Sequence, residues 1–226
     1  MNARASLRSG VTPSPFAGLH VLADDDERWG DDPVSQARDA CAGGAHVVQL
    51  RVKHASDGQA LEWALAIRAL TRECGAAFVV NDRFDLALAS GADAVHLGQT
   101  DLPPGRIPED ARKRLAVGFS THRFEQAEAS RALSLDYVAF GPVFGTTSKE
   151  SEYGERGVSA LQRVAEIVAP RPLVAIGGIH AGNLAEVIAA GAAGVAVISA
   201  VAGASDRVEA TRELACQYPQ PRRRSE

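Results

Sequence analysis

Apolar positions along the chain fall into two recurring patterns. Short runs rich in β-branched residues, GLHVLA, HVVQLRV, AFVVN, AVHLGQ, LAVGFS, YVAFGPV, PLVAIGG and GVAVIS, alternate with longer segments whose apolar residues stand three and four apart, as in Ala60 to Cys74 and Ala181 to Ala190. The short runs predict strands and the longer segments helices. The runs lack the strict alternation of a half-wet antiparallel sheet, so the strands are expected to be covered on both faces, as in a parallel sheet.

Three segments, CAGGAHVVQL, LASGADAVHL and IAAGAAGVAV, repeat a glycine-alanine pair between a helix end and the next strand. Glycine there supplies a left-handed helix cap, and the small alanine lets the helix sit close to the sheet. Eight such βα units, about 25 residues apart, favour a closed (β/α)8 TIM barrel of the α/β class over an open doubly wound sheet. No G-x-G-x-x-G follows the first strand, which removes the main signature of a dinucleotide fold. A length of 226 residues suits one large domain. The reading places the barrel at 16–216, with flexible polar segments at 1–15 and 217–226, and takes Arg222-Arg223-Arg224 as part of a solvated tail.

Composition narrows the function classes. A formal charge of −4 gives no global basic field, so neither nucleic acid nor an anionic membrane is an expected partner, and any anion must be held by a local site. No run reaches the roughly 18 uncharged apolar residues of a spanning helix, and the N-terminus lacks the apolar core of a secretory signal. A cytoplasmic protein is expected, and three widely separated cysteines read as reduced packing residues. Whether it forms a homo-oligomer is left open.

In a parallel barrel the C-terminal ends of the strands converge at one mouth. These ends carry Asp24, then Gln49, Arg51 and Lys53, Asn81 and Asp82, Gln99 and Asp101, Ser120, Thr121 and His122, Thr146 to Lys149, Gly177 and Gly178, and Ser199. Two neighbouring strand ends finishing in Asp82 and Asp101 would repel each other unless a cation lay between them. Mg²⁺ suits such a pair, because it takes one or two carboxylates and completes its shell with water and phosphate oxygens. Zn²⁺ would require closely spaced His and Cys, which the chain lacks. The local alternative gives Asp82 the cap of the next helix and Asp101 the turn before Pro103-Pro104, and the pair alone does not decide. Arg51 and Lys53 share one face of a strand, and with Lys149 they form a cationic set suited to pyrophosphate, which tips the reading toward a Mg²⁺-pyrophosphate site.

Gly177-Gly178 and the stretch around Ser199 predict a second phosphate site at strands seven and eight. The segment GPVFGTTSKESEYGERG is the longest non-periodic loop and reads as a lid. A lone His122 after a strand reads as a structural residue and is kept out of the primary mechanism.

The motifs VVQLRVK, VNDRFDLALASGADAVHLGQTDLP, VGFSTH, YVAFGPVFGTTSKE, VAIGGI and GVAVISAV, in this order over Gly18 to Val201, resemble the thiamine phosphate synthase family. The resemblance implies an enzyme that joins hydroxymethylpyrimidine pyrophosphate to thiazole phosphate, releasing pyrophosphate by Mg²⁺-assisted dissociative substitution. It further implies that Gln49, Arg51, Lys53, Asn81, Ser120 and Lys149 hold the pyrimidine pyrophosphate. Of these, Arg51, Lys53, Lys149 and Ser120 are the expected catalytic residues. Asp82 and Asp101 would bind Mg²⁺, and Thr146, Thr147, Ser148, Gly178, Ile198 and Ser199 would cradle the thiazole phosphate. Two positions depart from the family pattern: Val52 stands where an acid is frequent, and Gly145 where a proline is common. Val52 should point away from the Arg51 and Lys53 face, and Gly145 should loosen the lid. Two alternatives remain at this level, a thiazole tautomerase-like enzyme using His122 and a non-catalytic phosphate-binding regulator.

Overall fold

The computed structural model describes residues 14–145 and 154–218. Expectations for most of the two end segments, and for Thr146, Thr147, Ser148 and Lys149, lie outside the described residues.

Eight strands follow one another around a closed, all-parallel barrel: β1 (Gly18–Asp24), β2 (Val47–Arg51), β3 (Ala77–Asn81), β4 (Ala94–Leu97), β5 (Ala116–Thr121), β6 (Tyr137–Phe140), β7 (Leu173–Ile176) and β8 (Gly194–Val197). Each coincides with one of the eight apolar runs, β1 and β5 extending one residue past theirs, to Asp24 and Thr121. The connecting helices are α1 (Pro33–Gly43), α2 (Asp57–Cys74), α3 (Phe84–Ser90), the short α4 (Glu109–Arg112), α5 (Phe124–Ser130), α6 (Val158–Val168) and α7 (Leu184–Ala189). After β8 come α8 (Ser199–Ala202) and α9 (Arg207–Ala215).

Local sequence explains how these elements start and stop. In α2 the Ser56 side chain accepts from the Gln59 N–H, Ala60, Ala64, Ile67 and Thr71 form the buried stripe, and Gly75 at φ 80° ends the helix. Gly44, Gly91 and Gly191 take φ of 88°, 67° and 96°, the left-handed geometry expected of the repeated glycine-alanine pairs.

The barrel separates two apolar cores. Val48, Leu50, Phe78, Val80, Val95, Leu97 and Val138 belong to the larger core shared with the helices, while Leu22, Val47, Val79, Ala94, Tyr137, Ala139, Val174 and Ala196 form the smaller one. On β2, β3 and β4, alternate residues fall in different cores, so Gln49 and Arg51 share the inward parity of Val47, and His96 that of Ala94. Val52 packs with the outer core, away from that face.

The ring closes where β8 meets β1, with Gly18 opposite Gly194. A Cβ on Gly194 would lie 2.6 Å from the Gly18 carbonyl oxygen, so this seam admits no side chain at residue 194. Of the three cysteines expected to pack, Cys41 and Cys74 are half-buried and their thiols interact, whereas Cys216 is exposed. Among the described residues, no helix is long and apolar enough to cross a membrane.

Candidate active site

The inward parity of β2 carries Gln49, buried in the barrel, and Arg51 at the strand end. Arg51 Nη1 lies 2.6 Å from Asp24 Oδ2, and that carboxylate is only 1% exposed on the adjacent strand. The register explains the pair, because Asp24 stands directly beside Arg51 in the β1–β2 ladder. Asp24 therefore orients the guanidinium, and its buried charge is compensated by it.

Beyond β2 the chain is tied down by an acid that sequence reasoning passed over. The Asp25 carboxylate accepts the backbone N–H groups of Lys53, His54 and Ala55 at 2.8, 2.8 and 2.9 Å. Its signal was present in the sequence as the acidic run Asp24-Asp25-Asp26, but backbone capping between neighbouring loops has no periodic signature. Lys53 then extends to Asp82, Nζ to Oδ2 2.5 Å.

Asp82 follows β3 with φ 65°, a left-handed conformation that is uncommon for a non-glycine residue. The local alternative of a helix cap does not hold: Arg83 is the N-cap of α3 and no side-chain cap bond is made there. The Asp82 side chain interacts with that of Asp101, so the two acids do converge. Asp101 also closes its own loop, accepting the Gly98 N–H at 2.6 Å, so its local turn role and its place in the cluster coexist. Burial, reinforced by Asp82, raises the Asp101 carboxyl above its ordinary value against the opposing pull of the Gly98 N–H and Lys53. Among the described residues no group of three or more His, Cys, Asp or Glu is placed to hold a metal ion. Two crowded carboxylates are the donor set a hard dication takes when water and substrate phosphate supply the remaining oxygens, so the residues present fit Mg²⁺.

Asn81 is buried at the end of β3, and its ladder partner is His96 on β4. His96 was not singled out in the sequence, where it lies hidden inside the apolar run AVHLGQ. Its Nε2 lies 2.8 Å from Ser120 Oγ and its Nδ1 lies 2.9 Å from the Tyr137 hydroxyl. Gln99 donates from Nε2 to the Ser120 carbonyl at 2.6 Å. His122 is held differently, with Nδ1 donating to the Gly141 carbonyl at 2.6 Å and its N–H bonded to Gln126.

Across the mouth, Gly178 has φ 63°, and a Cβ there would lie 2.6 Å from the Gly145 carbonyl oxygen. Glycine is required at that position because β7 ends directly against the loop after β6. The Gly145 N–H itself bonds to Glu155 at 3.3 Å. Ile198 is buried immediately after β8, and Ser199 begins α8.

Carboxylates, cations and amides gathered at the C-terminal mouth of a closed parallel barrel define a phosphate-handling enzyme of the (β/α)8 class. The family model described as thiamine monophosphate synthase matches residues 19–201. The thiamine-phosphate synthase of Methanoculleus marisnigri is 46% identical over 196 residues, covering 87% of this chain and 92% of that protein. The thiamine-phosphate synthase of Anaeromyxobacter dehalogenans is 44% identical over 207 residues, covering 90% and 88%. The solved structure of a thiamine phosphate pyrophosphorylase from Pyrococcus furiosus superposes with a TM-score of 0.79 at 38% identity, over 89% of this chain and 95% of that one. The chain belongs to the thiamine monophosphate synthase family, a family of transferases in thiamine biosynthesis.

Proposed function

We propose that this chain condenses hydroxymethylpyrimidine pyrophosphate with a thiazole phosphate, carboxylated or not, to give thiamine monophosphate and pyrophosphate, in a Mg²⁺-dependent reaction. The observation that carries the reading is the Lys53–Asp82–Asp101 cluster at the ends of β2 to β4: one cation and two acids drawn onto one another where a metal-bound diphosphate would bind.

Arg51, oriented by Asp24, presents a planar fork to the diphosphate, and Lys53 supplies a point charge. Asp82 and Asp101 are the metal ligands in this reading. Bound Mg²⁺ would neutralise charge on the diphosphate and so stabilise it as a leaving group. Gln49, Asn81 and Ser120 line the inward side and orient the pyrimidine pyrophosphate. Gly178, Ile198 and Ser199 offer backbone and hydroxyl donors to the thiazole phosphate on the opposite side. Lys149, Thr146, Thr147 and Ser148 complete the two anion sites by family likeness alone.

Such a site needs no nucleophilic side chain. The pyrophosphate departs, the pyrimidinylmethyl cation is captured by the thiazole nitrogen, and preorganised cations stabilise the charge that develops on the leaving group. His122 donates from Nδ1 to the Gly141 carbonyl, so a tautomerase-like reaction would have to use its Nε2. The test is incubation of the pure protein with both substrates, with and without Mg²⁺, and assay of thiamine phosphate and pyrophosphate. Product only with Mg²⁺ is expected; phosphate binding without turnover at saturating Mg²⁺ would make the chain a regulator.

A further inference from the structure

Three residues on three consecutive strands are joined inside the barrel. The ladder sets His96 beside Gly118 and Gly118 beside Tyr137. Having no side chain, Gly118 lets the phenol pass over it: a Cβ there would lie 2.1 Å from Tyr137 Cζ. The tyrosine ring stacks on His96 with centroids 5.4 Å apart, and on Phe16 at 5.1 Å. Tyr137 is 1% exposed and His96 7%.

The direction of the hydrogen bonds follows from the buried phenol. Burial first, and Asp136 second, push its pKa upward, so it stays O–H. Its one hydrogen bond among the described residues is to His96 Nδ1. A buried hydroxyl hydrogen with no acceptor is costly, so Tyr137 donates and Nδ1 accepts. The imidazole proton then sits on Nε2 and is donated to Ser120 Oγ, at 2.8 Å. Accepting from His96 directs the hydroxyl hydrogen of the half-buried Ser120 away from the imidazole, leaving it to donate to another group.

We propose that Tyr137 and His96 are positioning residues that fix the Ser120 hydroxyl as a hydrogen-bond donor to the bound diphosphate-bearing substrate. The inference rests on the reading of Ser120 as a substrate-binding residue. A serine free to rotate could equally present its lone pairs to the anion, which would repel it; by occupying one lone pair the relay biases the hydroxyl toward donation before substrate arrives.

The test has a structural and a kinetic arm. Nitrogen-15 NMR of the imidazoles in the full-length protein should show His96 protonated at Nε2 and bare at Nδ1, both in the wild type and in Ser120→Ala. In Tyr137→Phe that preference should be lost. An Nδ1-protonated His96 in the wild type would overturn the proposal. In turnover assays, Tyr137→Phe should lower kcat three- to tenfold with KM changed less than twofold, and should add nothing in a Ser120→Ala background. His96→Gln places an amide donor near the Nε2 position and should stay within threefold of wild type. His96→Asn, reaching only the Nδ1 position, should lose tenfold or more. Equal losses in the two His96 variants, or additive losses in the double variant, would make the relay merely structural. If the tautomer is as expected but Ser120→Ala is silent, the substrate-binding reading of Ser120 fails instead, and with it the relay's purpose.

Discussion

Lys53 and Asp82 hold one another across the ends of β2 and β3, Nζ to Oδ2 2.5 Å, so the ammonium occupies an oxygen that a metal would claim. In the proposed reaction the two cations would compete for Asp82 when substrate is absent and would both serve the diphosphate once it binds. Lys53→Met should therefore tighten Mg²⁺ binding to the substrate-free protein, by up to about fivefold, since a part-exposed pair is worth about 0.2–1 kcal/mol. The same variant should lose roughly 100-fold or more in kcat/KM. Calorimetric Mg²⁺ titration beside steady-state assay separates the two effects; weaker Mg²⁺ binding in the variant would mean that lysine and metal do not share Asp82.

Asp101 supplies a pH signature. Its carboxyl titrates above the ordinary 3.8 because it is buried and faces Asp82. A folded value raised above the unfolded one means that, without metal, its ionisation costs stability as pH rises through the raised value. Metal binding needs the ionised form. Mg²⁺ affinity should thus begin to fall with acidification while the pH is still above 3.8, and Asp101→Asn should remove that part of the dependence. Asp101→Ala should keep the fold by circular dichroism and lose turnover; an active Asp101→Ala enzyme would leave this acid only its Gly98 turn.

His20 should dominate one region of the acid-stability curve. It lies on β1, 1% exposed, with Nε2 donating to the Phe16 carbonyl at 2.8 Å and Nδ1 buried without a partner. Burial depresses its pKa from 6.5 to about 4, over the opposing Phe16 hydrogen bond. Because the folded value is the lower one, the neutral imidazole's contribution is complete above pH 6.5 and is lost as pH falls toward 4, amounting to about 3 kcal/mol. Urea midpoints at pH 7 and 4.5 should show His20→Gln losing distinctly less stability than wild type over that interval. Parallel losses would place the acid sensitivity elsewhere.

Asp25 ties down the loop that carries Lys53. Asp25→Ala removes the acceptor for three backbone N–H groups and should cost about 1–3 kcal/mol of stability. Its functional mark should be a several-fold rise in KM for the pyrimidine pyrophosphate with a smaller change in kcat, measured well below the melting temperature. An unchanged KM would show that Lys53 finds its place without the anchor.

Gly118 is a steric test of the barrel interior. Gly118→Ala drives a methyl into Tyr137, and overpacking of this kind costs about 1–3 kcal/mol. Thermal denaturation should show a lowered Tm. A Tm equal to wild type would mean that the phenol has another place to go.

The strands were legible because each is an apolar run bounded by glycine or a polar end, and Gly44, Gly91 and Gly191 marked where helices stop. Alternation along β2 was enough to expect Val52 on the side opposite Arg51, and it packs with the outer core. The meeting of Asp82 with Asp101 was readable because strand ends of a parallel barrel converge. Pairings that depend on register were not readable: Tyr137 reaches His96 across Gly118, and nothing in a one-dimensional pattern says which residues lie level on neighbouring strands. Asp25 escaped for a related reason, since an acid that binds backbone amides of another loop leaves no trace in periodicity.

The glycine seam between residues 18 and 194 also has a cost in time. During synthesis β1 keeps one unpaired side until β8 has been made, and no partial ring can be sealed by an earlier strand. Once sealed, the sheet presents no open border to a neighbouring molecule, so the period of greatest exposure to aggregation ends with the docking of the last strand.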